Sequence, residues 1–178
     1  MRFLLVYFSP TGNTRKISNH LIDIIKARGY EVDIFNLSDC IEIIDKKEII
    51  FKKLVAEYME YDLAFFAFPI YNLQIPNLMR DYLKKLSINC KNASFISTYG
   101  KVAKGYGIDQ AAYILSKKSI IPISSLAIPM EHSYLKEKDV NQINSLDLKE
   151  RQAKIEEEIR DFFEETLERL KNNGKLQK

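Results

Sequence analysis

Short apolar runs alternate with longer amphipathic stretches along most of this chain, and this alternation restricts the possible folds more than any other feature. Residues 3–8 and 63–68 are apolar or aromatic at every position, which is typical of strands that are buried on both faces of a sheet. Between them, residues 17–25 repeat apolar side chains at helical spacing, and Gly29 follows as a residue type that often ends a helix. Such alternation predicts a doubly wound α/β fold, with a parallel sheet covered by helices on both faces.

Three further strands and four further helices complete the predicted pattern. We expect strands over residues 31–35, 93–98 and 120–128, and helices after Pro76, over residues 108–115 and over about 148–170. Asp45 and Glu48 have the spacing of a capping box. They predict one more helix, whose apolar residues are Ile50, Phe51, Leu54, Val55 and Tyr58. The sheet should therefore contain five strands.

Length, charge and cysteine content exclude several classes of protein. The 178 residues suit one domain, so we predict a single domain over residues 1–178 with a frayed tail over about 171–178. The 27 basic and 24 acidic residues give a net charge of +3, which is too small to indicate nucleic-acid or membrane binding. No apolar run approaches the roughly 20 residues that cross a bilayer. Cys40 and Cys90 form no metal-ligand motif, so we expect no metal site. We expect both to be small buried or half-buried apolar residues, and two distant cysteines indicate a reducing, cytoplasmic location.

The segment that joins the first strand to the first helix carries the clearest chemical signal. It reads Ser9-Pro10-Thr11-Gly12-Asn13-Thr14. This segment follows the carboxyl end of a strand, where open parallel sheets bind their ligands. Backbone N–H groups at a helix start attract anions, and the hydroxyl and amide side chains add further donors. A simple helix cap explains single residues of this kind. The density of donors after a buried strand favours a phosphate site instead.

Other chemistries on a similar scaffold lack the residues they need. The loop contains no lysine and does not read GxGxxG, so neither an NTPase loop nor a dinucleotide fingerprint is present. Phosphorelay receivers need acidic residues at the ends of the first and third strands, where this chain has Ser9 and Pro69. Small tyrosine phosphatases need a cysteine in the first loop, and Ser9 has no histidine nearby in sequence for a triad. We therefore predict no catalytic residue.

The run Tyr7-Phe8-Ser9-Pro10-Thr11-Gly12-Asn13-Thr14 resembles the phosphate-binding loop of flavodoxins. The resemblance is greatest to the flavodoxin half of EFR-type flavodoxin–ferredoxin fusion proteins, and it extends to about Pro129. It implies a sheet with strand order 2-1-3-4-5 and an FMN cofactor. The FMN phosphate would be held by Ser9, Thr11, Gly12, Asn13 and Thr14.

The same resemblance assigns the loop after the third strand, Pro69-Ile70-Tyr71-Asn72, to one face of the flavin ring. Tyr71 is the expected stacking residue, because aromatic rings stack well on planar π-systems; a surface tyrosine is the alternative. Asn72 tolerates positive φ. It therefore either permits a peptide flip toward the flavin N5 or is an ordinary turn residue, and the two interpretations carry equal weight.

By resemblance, the segment after the fourth strand meets the pyrimidine edge of the flavin through the backbone of Thr98, Tyr99 and Gly100. Tyr99 or Tyr106 would cover the opposite ring face, with Gly107 close by; a glycine-rich helix cap is the alternative. Lys101 and Lys104 make this segment basic, which predicts a less negative potential than in acidic flavodoxins. His132 and Tyr134 lie in a fourth loop at the same edge, for which an exposed connection is the favoured interpretation.

These expectations lead to three hypotheses about function. The first is an FMN-binding electron-transfer protein that serves a redox partner protein; since the sequence has no ferredoxin-like cysteine motif, a ferredoxin or other iron–sulfur partner would be a separate protein. The second is an FMN-dependent NAD(P)H oxidoreductase acting on a quinone or other small acceptor. The third is a cofactor-free interaction module.

Overall fold

The computed structural model describes the backbone of residues 1–44, 48–51, 59–100, 103–130 and 145–176, and the side chains of residues 1–40, 59–100, 103–130 and 149–173. Its helices are α1 (Asn13–Ala27), α2 (Asn77–Lys85), α3 (Gly107–Ser116) and α4 (Ser145–Leu176), and a 3-10 turn covers Leu37–Cys40. Its strands are β1 (Arg2–Tyr7), β2 (Glu31–Asn36), β3 (Ile41–Ile44), β4 (Glu48–Phe51), β5 (Glu60–Tyr61), β6 (Leu63–Pro69), β7 (Asn89–Cys90), β8 (Asn92–Gly100) and β9 (Ile121–Met130).

The central sheet has five parallel strands in the order β2-β1-β6-β8-β9. These are the five predicted strands, and the predicted order 2-1-3-4-5 is confirmed. Strand β6 lies in the middle and is buried along its whole length, as its continuous apolar sequence predicts.

Helices cover both faces of this sheet. Successive residues of each strand point to opposite sides, so each strand contributes to the packing on both faces. On one face, Leu4 and Val6 of β1 pack in a cluster with the apolar residues of α2 and α3. On the other face, Phe3 and Leu5 pack with α1 and α4. The aromatic rings of Phe3 and Phe163 meet edge-on with their centroids 6.0 Å apart. The sheet therefore has a hydrophobic core on each face. Below, the row of carboxyl ends of its strands is called an edge of the sheet.

The predicted helix that begins near Asp45 is wrong at Glu48–Phe51. These residues form β4, which pairs antiparallel with β3 in a small sheet separate from the main one. Isoleucine is abundant in both strands, and its branched Cβ favours extended backbone over helix. The capping-box spacing was outweighed by this preference. The rest of the predicted helix, residues 52–58, lies outside the described residues.

The last helix begins before and ends after its predicted bounds, since α4 reaches Leu176. A chain of buried hydroxyl groups fastens it to the sheet. Thr166 donates to the Phe162 carbonyl oxygen at 2.6 Å, so it accepts from Ser124 at 2.6 Å, and Ser124 in turn accepts from Ser94 at 2.7 Å. Within the described chain, no helix combines the length and apolar character that a membrane crossing requires.

Candidate functional site

Three loops meet at the edge formed by the carboxyl ends of β1, β6 and β8. They are the connection from β1 to α1, the connection from β6 to α2, and the segment between β8 and α3. Backbone bonds join them near their bases: the Phe8 N–H donates to the Ala67 carbonyl at 2.9 Å, and the Ile70 N–H donates to the Thr98 carbonyl at 2.7 Å. The parallel sheet therefore brings the three predicted segments to one place.

The loop between β1 and α1 has several features that favour binding of an anion. Gly12 has a φ of 87°, and among the described residues other than its two chain neighbours none has an atom within 4 Å of where its Cβ would be. The first turn of α1, which is described in full, carries no acidic side chain, so its positive dipole end is not neutralised locally. Ser9 Oγ accepts a hydrogen bond from the Arg15 N–H at 2.9 Å. Because Ser9 is the acceptor in that bond, its own O–H remains able to donate outward.

Thr14 ties this loop to the end of β8. Its hydroxyl oxygen lies 2.9 Å from that of Thr98, and the two residues are only 1% and 3% exposed. One of the two hydroxyl hydrogens forms this bond, so the pair keeps a second hydrogen for another acceptor. The predicted phosphate residue Thr14 and the predicted ring-edge residue Thr98 are therefore in direct contact.

Residues 71–74 form a tight exposed turn. The Tyr71 N–H donates to the Gln74 carbonyl at 3.1 Å, and the Gln74 N–H donates to the Tyr71 carbonyl at 2.9 Å. The two central residues, Asn72 and Leu73, have φ values of 48° and 66°. Positive φ at both positions is typical of a type I′ turn, and it is strained for leucine because of its Cβ. Asn72 is thus a turn residue in the left-handed region.

Backbone groups just before α3 and at its first residue lie directly against this turn and its flanking residues. The Tyr106 N–H donates to the Leu73 carbonyl at 2.7 Å. A Cβ on Gly105 would lie 2.3 Å from that same carbonyl oxygen, and one on Gly107 would lie 2.3 Å from the Ile70 side chain. Sequence reasoning selected Gly107 for proximity to a flavin and left out Gly105. Close contact between two loops is the physical reason for glycine at both positions. In the sequence, the only indication of this role is that both glycines lie just before a predicted helix.

Two of the predicted aromatic residues are exposed at this edge. Tyr71 is 42% exposed and Tyr106 is 65% exposed, whereas Tyr99 is half-buried and packs on the cluster beneath α2 and α3. Exposure leaves the first two rings accessible to a planar ligand. Pro69 and Ile70 are buried and Gly100 is half-buried. Lys104 is exposed; Lys101, His132 and Tyr134 lie outside the described residues.

The opposite edge of the sheet holds a cleft of about 300 Å³, lined in part by Tyr61, Cys90 and Asn92. Tyr61 donates to the Asp33 carboxylate at 2.9 Å, and Asp33 also binds Arg2 at 2.8 Å. Burial and the bond to Asp33 raise the pKa of Tyr61 to about 12. Burial raises the pKa of the Cys90 thiol to about 11, which makes it unreactive at neutral pH. Cys40 and Cys90 are both buried, as expected.

A doubly wound parallel sheet whose first strand leads into a helix through a polar loop defines a class of α/β protein in which ligands bind beyond the carboxyl ends of the strands. The chain belongs to the family described as having a flavodoxin-like fold, whose model matches residues 1–137. No curated protein matches the sequence.

Solved structures with the same fold include both flavodoxins and reductases. The flavodoxin of Streptococcus pneumoniae TIGR4 has a TM-score of 0.53 and 18% identity, over 89% of this chain and 97% of that one. A flavone reductase has a TM-score of 0.62 and 15% identity, over 93% of this chain and 63% of that one. The apo form of an NADH:FMN oxidoreductase, EmoB, has a TM-score of 0.56 and 15% identity, over 90% and 87% of the two chains. At these identities the likeness concerns the fold.

Proposed function

We propose that this chain binds FMN and carries electrons between partner proteins. The observation that carries the proposal is a donor-rich loop on an acid-free helix start, at the same edge as two exposed tyrosines. FMN has a dianionic phosphate and a planar aromatic ring, so it needs these two features at one site. The open space above Gly12 gives the phosphate room to approach the backbone.

The residues present fit that cofactor. Ser9, Thr11, Gly12, Asn13 and Thr14 would hold the phosphate, Tyr71 and Tyr106 would flank the ring, and the backbone from Thr98 to Gly100 would face its polar edge. When bound, FMN supplies the electron-transfer chemistry, and the protein supplies position and electrostatics. The flanking peptide groups of the 71–74 turn are held by hydrogen bonds. None of these bonds involves the peptide between Asn72 and Leu73, so they are compatible with both interpretations of Asn72, the peptide flip and the ordinary turn residue.

Titration of the flavin-free protein with FMN tests this proposal. We expect FMN fluorescence to be quenched and riboflavin to bind more weakly, because riboflavin lacks the phosphate. The double variant Thr11→Val/Thr14→Val should weaken FMN binding by about 2–3 kcal/mol if both hydroxyls donate to the phosphate. Ser18→Ala is the matched control: Ser18 is a fully buried residue one turn further along α1, so its loss should leave the affinity unchanged. Equal FMN affinity in the double variant and the wild type would contradict the phosphate assignment.

An FMN-dependent NAD(P)H oxidoreductase is the second candidate. The exposed turn at Tyr71 and Leu73 leaves access to a bound ring, and the fold overlaps reductases at TM-scores of 0.62 and 0.56. Anaerobic mixing of the FMN-loaded protein with NADH or NADPH separates the two candidates. Rapid loss of flavin absorbance would support the oxidoreductase, and an unchanged spectrum would support the electron carrier. A protein with no affinity for FMN would leave only the interaction module.

A separate ferredoxin or iron–sulfur protein is the proposed redox partner, in the cytoplasm. The exposed Lys104 beside Tyr106 supports an acidic docking surface on that partner. We also propose that, among flavodoxin-like proteins, the chain is most similar to the flavodoxin half of EFR-type fusion proteins. Stopped-flow mixing with a reduced ferredoxin tests it: fast flavin reduction that slows steeply with added salt is the expected result.

A further inference from the structure

One side chain of α3 reaches across to the loop after β6. The Ile75 N–H donates to Gln110 Oε1 at 3.0 Å, between residues 35 positions apart in the sequence. A backbone N–H can only donate, so the oxygen end of the Gln110 amide must face it. Ile75 is 3% exposed, which leaves little room for water to replace that acceptor.

This bond completes the support of the 71–74 turn. The start of the turn is fixed to β8 through Ile70 and Thr98, and its tip is fixed through Leu73 and Tyr106. Those are bonds between backbone groups, so they do not depend directly on which side chains the residues carry. The bond at Ile75 depends on the identity of a side chain. The side chain of residue 110 therefore contributes to holding the backbone just after the turn.

We propose that Gln110 is a positioning residue for the flavin-facing turn, an inference that rests on the proposed FMN site. Gln110 holds Ile75 against α3, and Ile75 lies next to Gln74, which bonds to Tyr71 in both directions. Loss of the acceptor leaves a buried N–H unsatisfied. The turn must then shift outward to reach water, and Tyr71 moves with it. Gln110 itself does not touch the cofactor in this assignment.

Three substitutions separate the acceptor from the rest of the side chain. Gln110→Met keeps the length and removes the acceptor, and Gln110→Asn keeps the amide but shortens the reach. Gln110→Glu retains an oxygen at the same distance and should preserve the bond. Gln152→Met is the matched control, since Gln152 lies on the exposed face of α4 and bonds only to the Glu156 side chain among the described residues.

The first measurement is amide hydrogen exchange at Ile75 in the protein without flavin. We expect about tenfold faster exchange in Gln110→Met and Gln110→Asn, and exchange close to that of the wild type in Gln110→Glu and Gln152→Met. An unchanged exchange rate in both acceptor-deficient variants would overturn the claim. The variants need only stay folded for this test, which circular dichroism checks, and two of them make the result independent of one unstable protein.

The second measurement is the absorption spectrum and dissociation constant of bound FMN. Gln110→Met and Gln110→Asn should shift the flavin absorption band and raise the dissociation constant several-fold, while Gln152→Met should do neither. Faster exchange at Ile75 with an unaltered flavin spectrum and affinity would overturn the positioning role. A wild-type protein that binds no FMN would instead refute the proposed function, and the exchange result would still stand by itself.

Discussion

Replacing Gly105 by alanine is the most direct test of how the candidate site is assembled. Gly105 has a φ of 58°, and a Cβ there would lie 2.3 Å from the Leu73 carbonyl oxygen and 2.5 Å from the Leu73 Cα. These are backbone atoms, so rotation of a side chain cannot relieve the contact. The loop must move away, and the bond from the Tyr106 N–H to the Leu73 carbonyl must stretch or break.

The magnitude of the destabilisation follows from a comparison with Gly29, which has a φ of 74°. Among the described residues other than its two chain neighbours, none has an atom within 4 Å of the Cβ position of Gly29. Gly29→Ala should therefore cost only the strain of left-handed backbone, about 1–2 kcal/mol of unfolding free energy. Gly105→Ala carries the same strain plus a steric overlap, which adds about 1–3 kcal/mol. The difference between the two variants isolates the contact between the loops.

Urea unfolding of both variants measures this difference directly. In a chain of this size each kcal/mol also lowers the melting temperature by about 2–4 °C. Gly105→Ala should additionally weaken FMN binding, since the displaced turn carries Tyr71, whereas Gly29 lies at the far end of α1 and should not affect affinity. Equal destabilisation of the two variants, with equal FMN affinity, would refute the view that the loops are pressed together at Gly105.

Three other perturbations test a buried hydroxyl chain, a buried tyrosine and the charge near the proposed flavin. Thr166→Val leaves the Ser124 hydroxyl without its acceptor and should destabilise the protein by about 1–3 kcal/mol in urea unfolding, while Thr166→Ser should restore most of the loss. The pKa of Tyr61 rises from 10.0 to about 12 on folding, so its stabilising effect is complete below pH 10 and is lost as the pH rises to about 12; Tyr61→Phe should remove that part of the pH dependence of unfolding. Lys104→Glu should make the potential for full reduction of bound FMN more negative in a redox titration, since it places a negative charge near a reduced, anionic ring.

The main sheet was predictable because its central strands have a distinctive local sequence. Residues 3–8 and 63–68 are apolar at every position, and few environments other than the centre of a covered parallel sheet accommodate such runs. Once those strands are parallel and adjacent, their carboxyl ends must share an edge. The meeting of Thr14 with Thr98 therefore follows from topology, although nothing local to either threonine indicates the bond.

The β3–β4 hairpin and the role of Gly105 were not predictable in the same way. Asp45 and Glu48 fit a helix start, and the competing extended preference of the isoleucines around them is of similar size, so local rules conflict there. At Gly105 the determining partner is Leu73, which is distant in sequence. A glycine before a helix suggests a turn or a cap, and only the folded backbone shows that the missing Cβ makes room for another loop.

Side-chain and backbone hydrogen bonds between the loops make the candidate site a connected unit. Thr14 links the loop between β1 and α1 to β8, and the Thr98 carbonyl links β8 to Ile70. Tyr106 holds Leu73 at the tip of the exposed turn, and Gln110 of α3 holds Ile75 just after the turn. A displacement of any one loop must therefore strain bonds in the next. Substitutions at Thr14 and Gln110 should for this reason be non-additive in FMN affinity, although the two residues lie on different helices. Strict additivity in a double-mutant cycle would show that the loops respond independently and that their shared edge is only a matter of topology.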